Sequence, residues 1–302
     1  ALLNINVRKD SLLFPVNEDI IRFIYNHKTV LSQKFFIPDV NLDVIYNKYK
    51  FNHILPVHCK IETHFADVDQ SKLSTQKKYI VKGAEGMKFR QATSKKAISY
   101  REYSKKKNSK PYIDFKDKSL IIQELILSNK PVVSVCCFSI KGKIQSYFQY
   151  QKIRQHPDQF GTGTYLKSIR NDKFLFDTEE ILKTLNYTGI SEIEFIWDEN
   201  DKKYKVIEMN PRTWKSVHFA TRCGNNLVEK YLKWISQKKV QMESEYQENK
   251  YWVDLATDIP QMLREKRLFK YHKEFYECTW YREDPLPGIL LWTLFPLLAL
   301  KI

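Results

Sequence analysis

The sequence predicts an α+β protein, because helix-period stretches are interspersed with strand pairs whose short turns close antiparallel. One such stretch is VNEDIIRFIYNHKTVLS (16–32), where Ile20, Ile21, Phe23 and Ile24 recur at helical spacing behind Asn17 as a cap. The first strand pair is PVVSVCCFSI and KIQSYFQYQKI, two apolar runs meeting at Lys141-Gly142. The second is ISEIEFIW (190–197) and YKVIEMN (204–210), joined by the charged turn Asp198-Glu199-Asn200-Asp201.

The other elements follow in order. A helical pattern covers about 41–51, and KYIVK (78–82) reads as a short buried strand leading into Gly83-Ala84-Glu85-Gly86. Lys105, Lys106, Lys107 and Lys110 form a solvated basic loop. SLIIQELIL (119–127) is another apolar strand. Asp177 or Thr178 is expected to cap a helix running through Leu182 and Leu185 to Tyr187, with Gly189 beyond its end. A further helix is predicted over about 225–237. The apolar segment 285–302 is interrupted by Pro and Gly and is short for a membrane span. It reads as a core-packing tail or as a contact with a partner or membrane surface.

A length of 302 residues with 43% hydrophobic content supports one or two substantial cores and excludes collagen-like or disordered chains. The net charge of +15 points to polyanionic partners: nucleotides, phosphorylated substrates, nucleic acid or an anionic membrane face. The five cysteines form neither a disulfide framework nor a CxxC zinc pattern, which suits a reducing cytoplasm. His53, His58, Cys59 and His64 cluster loosely, without the spacing of a standard metal site.

Chemistry concentrates in 189–216. In the first strand Glu192 and Glu194 alternate with Ile193, Phe195 and Trp197; in the second, Val206, Glu208 and Asn210 are expected on one face. A hairpin closing about Asp201 sets Glu194 opposite Glu208, and facing carboxylates repel. A proton on one, solvent around both, or a cation between them would relieve the repulsion. Two carboxylates and the Asn210 amide oxygen are hard donors suited to Mg²⁺. Arg212, just after the strand, offers a planar cation for phosphate.

The run Glu208-Met209-Asn210-Pro211-Arg212, with Glu194 fourteen positions earlier, resembles the E-x-N-P-R signature of ATP-grasp ligases, in particular the carbamoyl-phosphate-synthetase-like, carboxylate–amine ligase type. The resemblance implies that Glu194, Glu208 and Asn210 bind magnesium on the ATP phosphates, with Arg212 on the reacting phosphate. Lys82 resembles the lysine that reaches the phosphates. Lys48 resembles an earlier phosphate lysine, with Lys50 as its alternative. Gln123-Glu124-Leu125-Ile126 resembles the linker whose backbone reads adenine, and Gly83 to Gly86 would form a short phosphate lid. Arg154 matches an arginine near the acyl phosphate in such ligases, and Gly161-Thr162-Gly163-Thr164 resembles a substrate-proximal loop.

The implied architecture is an ATP-grasp fold: two α+β subdomains, about 47–126 and 127–238, gripping ATP between antiparallel sheets. Residues 1–46 would be the remnant of a preceding pre-ATP-grasp domain, with more chain expected before Ala1. Residues 239–302 would be a C-terminal extension, whose D-P-x-P segment at Asp284 resembles the ending of some bacterial carboxylate–amine ligases. The implied activity joins a carboxylate, activated as an acyl phosphate, to an amine. ATP and Mg²⁺ or Mn²⁺ would be required, with an amino acid or peptide among the substrates and no nucleic acid. The expected place is the cytoplasm, with 285–302 touching the inner membrane face. The alternatives are an ATP-grasp kinase and a non-catalytic basic protein binding a polyanion or membrane.

Overall fold

The computed structural model describes residues 11–115, 118–237, 244–266, 268 and 270–299. Residues 1–10 of the expected N-terminal remnant, the expected boundary at 238/239 and the end of the tail (300–302) lie outside them.

The chain enters through β1 (Ser11–Leu12), α1 (Glu18–Asn26), α2 (Lys28–Leu31) and β2 (Phe35–Phe36), with β1 and β2 parallel. Asn17 caps α1 as the sequence predicts, its side chain accepting from the Ile20 amide at 2.9 Å. Ile21 and Ile24 are buried, but Ile20 and Phe23 are half exposed, so the inward stripe is narrower than the sequence suggests. The predicted helix over 41–51 is two: α3 (Leu42–Tyr46) and α4 (Lys48–Ile54). They divide at Asn47, whose side chain caps α4 by accepting from the amides of Tyr49 and Lys50.

A four-stranded antiparallel sheet follows. It contains β3 (Thr63–Phe65), β4 (Tyr79–Gly83), β5 (Ile98–Ser99) and β6 (Leu120–Glu124) in the order β3-β6-β4-β5, with α5 (Gly86–Thr93) between β4 and β5 and α6 (Tyr100–Lys106) between β5 and β6 along the chain. The second sheet is built on β7 (Val133–Ile140), β8 (Lys143–His156) and β9 (Thr162–Ile169). α7 (Lys173–Thr184), β10 (Gly189–Asp198), β11 (Lys203–Asn210), α8 (Val217–Arg222) and α9 (Leu227–Gln237) follow. The sheet continues past 238, where the sequence ended the subdomain: β12 (Tyr251–Val253) pairs with β9, α10 (Leu255–Arg264) follows, and β13 (Tyr276–Glu277) pairs with β12. Trp252, almost wholly buried, ties this segment into the core. The strand order is β11-β10-β7-β8-β9-β12-β13, and α11 (Leu286–Ala299) ends the described chain.

Both faces of the larger sheet are covered. Val133, Val135 and Cys137 of β7 pack with α7 and α4, while Cys136 and Phe138 pack with α8 and α9. This explains why VVSVCCFSI reads as a continuous apolar run rather than an alternating one. α7 starts earlier than predicted, and Asp177 and Thr178 are buried within it instead of capping it. The cause is Phe174, which must reach Phe195 (ring centroids 5.2 Å apart) and lies in one stripe with Ile181 and Leu182.

The hairpin at Lys141-Gly142 forms as predicted, with both residues at positive φ (48° and 78°). A Cβ on Gly142 would sit 2.5 Å from Lys183 Cα and 2.7 Å from Leu182 O, so this turn packs directly on the end of α7. Gly142→Ala is expected to destabilise the protein by about 1–3 kcal/mol, measured by urea unfolding.

Candidate active site

The acidic pair comes from β10 and β11. Asp198 faces Lys203 and Phe195 faces Val206, but a β-bulge then shifts the register, so Glu194 faces Glu208 and Glu192 faces Asn210. The expected face assignment is corrected at Val206. Val206 and Met209 are both buried with Ile193 and Phe195, which the chain achieves by accommodating Ile207 at the bulge. Without that extra residue the pairing begun at the turn would have opposed Glu194 to Ile207.

The relief of the carboxylate repulsion is a cation that the sequence reading missed. Lys152 Nζ lies 2.6 Å from Glu194 Oε1, with both side chains largely buried. Lys152 is on β8, two strands from β10. Between them stands Ser134 of β7, directly opposite Glu194 and small enough to be bridged. Gly163 gives the lysine stem room, since a Cβ there would lie 3.3 Å from Lys152 Cγ. Thr162, Gly163 and Thr164 are thus strand residues of β9, not a loop. On the same face the Tyr150 hydroxyl donates to Glu192, which also accepts from Asn210 Nδ2 at 3.1 Å. Asn210 Oδ1 accepts from Arg212 Nη2 at 3.1 Å.

The smaller sheet supplies the facing cations. Lys48 opens α4 and places Nζ 3.4 Å from Glu208 Oε2, whereas Lys50 pairs with Asp43 at the surface. Lys82, at 8% exposure, projects from β4. Lys96, also missed by the sequence reading, is within electrostatic reach of Glu208 and Glu194, and donates to Phe160 O at 2.6 Å across the two sheets. The expected phosphate lid is instead a strand-to-helix turn: Gly83 ends β4 and Gly86 begins α5. Glu208, Asn210, Lys48, Tyr46 and Gly86 line one cleft, so the positive end of α5 shares it with Glu208.

The charges settle accordingly. Burial, reinforced by Glu192 and Glu208, raises the Glu194 carboxyl to about 7 despite Lys152. Burial opposes ionisation of Glu208 too, but Lys48, Lys152, Lys96 and Lys82 hold its carboxyl well below the usual range. Lys82 is lowered to about 7 by burial and the Lys48 charge, which Glu208 offsets only in part. A site with this excess of ammonium groups is complementary to a polyphosphate.

Other expected residues are placed differently. Gln123 and Glu124 lie in β6, where Gln123 Nε2 donates to Thr63 Oγ1 and Glu124 pairs with Lys77 at 2.9 Å. The Glu124 amide donates to Glu62 O and the Leu125 amide to Lys78 O, so both of these amides are engaged within the sheet. Arg154 is not brought to the acidic pair. It grips buried Asp258 through Nε and Nη2 (2.6 Å at Nη2) and lies between the rings of Tyr165 and Tyr271. The loose histidine cluster divides: His58 meets Asp177 at 2.8 Å beside Cys59, and His64 meets Glu62.

The fold agrees with known structures. Residues 151–242 match the family described as the carbamoyl-phosphate synthase L chain, ATP binding domain. The fold is similar to a biotin carboxylase complex with βγ-ATP from Campylobacter jejuni (TM-score 0.58, 17% identity, 80% of this chain and 57% of that one). It is also similar to N5-carboxyaminoimidazole synthetase from Staphylococcus aureus (0.59, 15%, 78% and 64%). A third neighbour is an L-amino acid ligase from Bacillus licheniformis (0.52, 15%, 72% and 56%). The chain has the ATP-grasp fold. It spans about three fifths of the length of these neighbours, and no curated protein sequence matches it.

Within this ATP-grasp chain, two outcomes test the electrostatics. Lys152→Met leaves buried carboxylates unpaired and is expected to cost about 3–5 kcal/mol in denaturant unfolding, with partial recovery on adding Glu194→Gln. Lys82 is largely neutral above pH 7 in the free protein, and a bound polyphosphate favours its ammonium form. Nucleotide binding at pH 8 should therefore take up close to one proton and weaken as pH rises further. Calorimetry in buffers of different ionisation enthalpy measures the uptake, which Lys82→Met should abolish.

Proposed function

We propose that this chain is an ATP-dependent, ADP-forming carboxylate–amine ligase. The observation that carries the reading is the facing pair Glu194 and Glu208, ringed by Lys48, Lys82, Lys96 and Lys152, in a cleft between two antiparallel sheets. A protein that merely held a polyanion on a basic surface would gain nothing from carboxylates turned toward its ligand.

The donor set fits a divalent cation. Lys152 contacts Oε1 of Glu194 and Lys48 contacts Oε2 of Glu208; among the described residues the other oxygen of each accepts no hydrogen bond, and Asn210 Oδ1 keeps a second lone pair. These oxygens suit Mg²⁺, which keeps part of its shell for phosphate and water. Bound there, Mg²⁺ or Mn²⁺ would supply charge neutralisation on the triphosphate.

The residues' own parts follow from their places. Lys48, Lys82 and the amino end of α5 bind the phosphates, and Lys96 closes on them from the loop before β5. Arg212, just beyond β11, orients the phosphoryl group or the carboxylate that receives it. A carboxylate would have to expel oxide and so resists attack by an amine. Phosphoryl transfer from ATP makes an acyl phosphate and ADP; the amine then attacks the acyl carbon, phosphate leaves, and an amide forms. Such transfer depends on positioning and charge neutralisation, so no protein nucleophile is required. The L-amino acid ligase neighbour supports an amino acid or peptide as substrate. The four buried free cysteines, Cys59, Cys136, Cys137 and Cys223, suit a reducing cytoplasm.

A phosphate-release screen over amino acids and other carboxylates, with Mg²⁺ and ATP, should find a pair that yields ADP, free phosphate and an amide in equal amounts. Glu208→Gln should lower that turnover by about 10²–10³-fold while leaving the fold intact. Retention of the phosphoryl group on the product would make the chain a kinase instead.

A further inference from the structure

We propose that α11 and the surface around its foot dock on the anionic face of a phospholipid membrane. The proposal is independent of the nucleotide cleft.

The sequence of α11, LPGILLWTLFPLLA, contains no charged side chain. Leu286, Ile289, Leu290 and Leu294 recur at helical spacing and are 44–58% exposed, so an apolar stripe faces outward rather than into the protein. The inner side is anchored at Gly288, whose missing Cβ admits the Trp280 ring. Apolar exposure also continues beyond the helix. Leu263 of α10, which packs against α11, is 61% exposed; Leu268 is 78% exposed, and Trp280 is half exposed. The α11 stripe with the neighbouring α10 and Trp280 gathers more apolar exposure than the scattered single side chains usual on a soluble surface.

Charge identifies the occupant. Arg264, Lys266, Lys270, Lys273 and Arg282 are all exposed in the segment that forms this patch. The exposed acids of the same segment are fewer: Glu274, near Lys250 at 3.9 Å, and Glu283 and Asp284, which immediately precede α11. Acids at that end of a helix are favoured by its dipole and remain in the aqueous headgroup layer. The whole chain carries +15. Apolar side chains with a tryptophan at their edge and cations around them match the layered chemistry of a membrane interface, where acyl chains lie below phosphate headgroups. A groove on another protein would cover one stripe and would not require the dispersed cations. Among the described residues no helix is long and apolar enough to cross a membrane, and the contact proposed is with the membrane surface.

Flotation of the full chain with vesicles tests this. The chain should float with vesicles of phosphatidylcholine plus phosphatidylglycerol, float less with phosphatidylcholine alone, and be released by salt. Ile289→Glu with Leu290→Glu should lower the bound fraction about tenfold or more, and Arg264→Glu with Lys266→Glu should remove the preference for the anionic lipid. Neither pair lies in the nucleotide cleft, so unchanged thermal stabilisation by Mg-ATP, or an unchanged melting curve without nucleotide, verifies the fold of each variant. Equal flotation of the apolar variant, or no flotation of the parent chain, would overturn the proposal. So would a dimer in light scattering that the same substitutions dissolve, which would assign the surface to a second copy of the chain.

Discussion

The cleft is organised by two carboxylates that face each other across a hairpin and would drive it apart if nothing intervened. Glu194 and Glu208 are tolerated because Lys152 reaches across β7 to one and Lys48 approaches the other from a different sheet. The opposition itself depends on the bulge that offsets the strands by one residue between Val206 and Glu208. A buried ion pair of this kind is weak evidence for stability, because removing charges from water offsets most of their attraction. Its presence is better explained by what the charges do together than by what they contribute to folding.

The two sheets hold complementary parts of the site. The smaller one contributes Lys82 on β4, and α4 and the α5–β5 turn add Lys48 and Lys96. The larger one contributes both carboxylates, Asn210 and Lys152. The smaller side brings only cations and the larger side a small excess of acid, so the two are electrostatically complementary where they face each other. Arg154, by contrast, secures the far end of β8 to α10 through Asp258, Tyr165 and Tyr271, which gives it a positioning role in the fold of the C-terminal segment.

Much was legible in the chain itself. The hairpin at Lys141-Gly142, the Asn17 cap and the strand expected over 78–82 and found at 79–83 follow from local rules, whereas the facing of Glu194 and Glu208 is reached only through the bulge. Errors occurred where packing overrode them. Asp177 looks like a helix cap, but Phe174 had to be buried against Phe195. Gly83 to Gly86 looks like a loop, but Gly86 opens a helix. The sheet extends past 238 because Trp252 brings a distant strand to its edge. Lys152 carried one usable signal, its period-two spacing from Tyr150 on β8. That signal becomes meaningful only once β8 is known to lie beside β7 and β7 beside β10.

The sequence by itself determined the local geometry: periodicity, caps, turns and the acid–amide–arginine run, since each arises from interactions among near neighbours. Tertiary structure alone decided which cations meet the acids, whether Lys48 or Lys50 faces the cleft, and that Arg154 is held by Asp258. Those contacts join residues 42 to 160 positions apart, and the strand order and register that create them are set by burial of both sheet faces rather than by any local pattern.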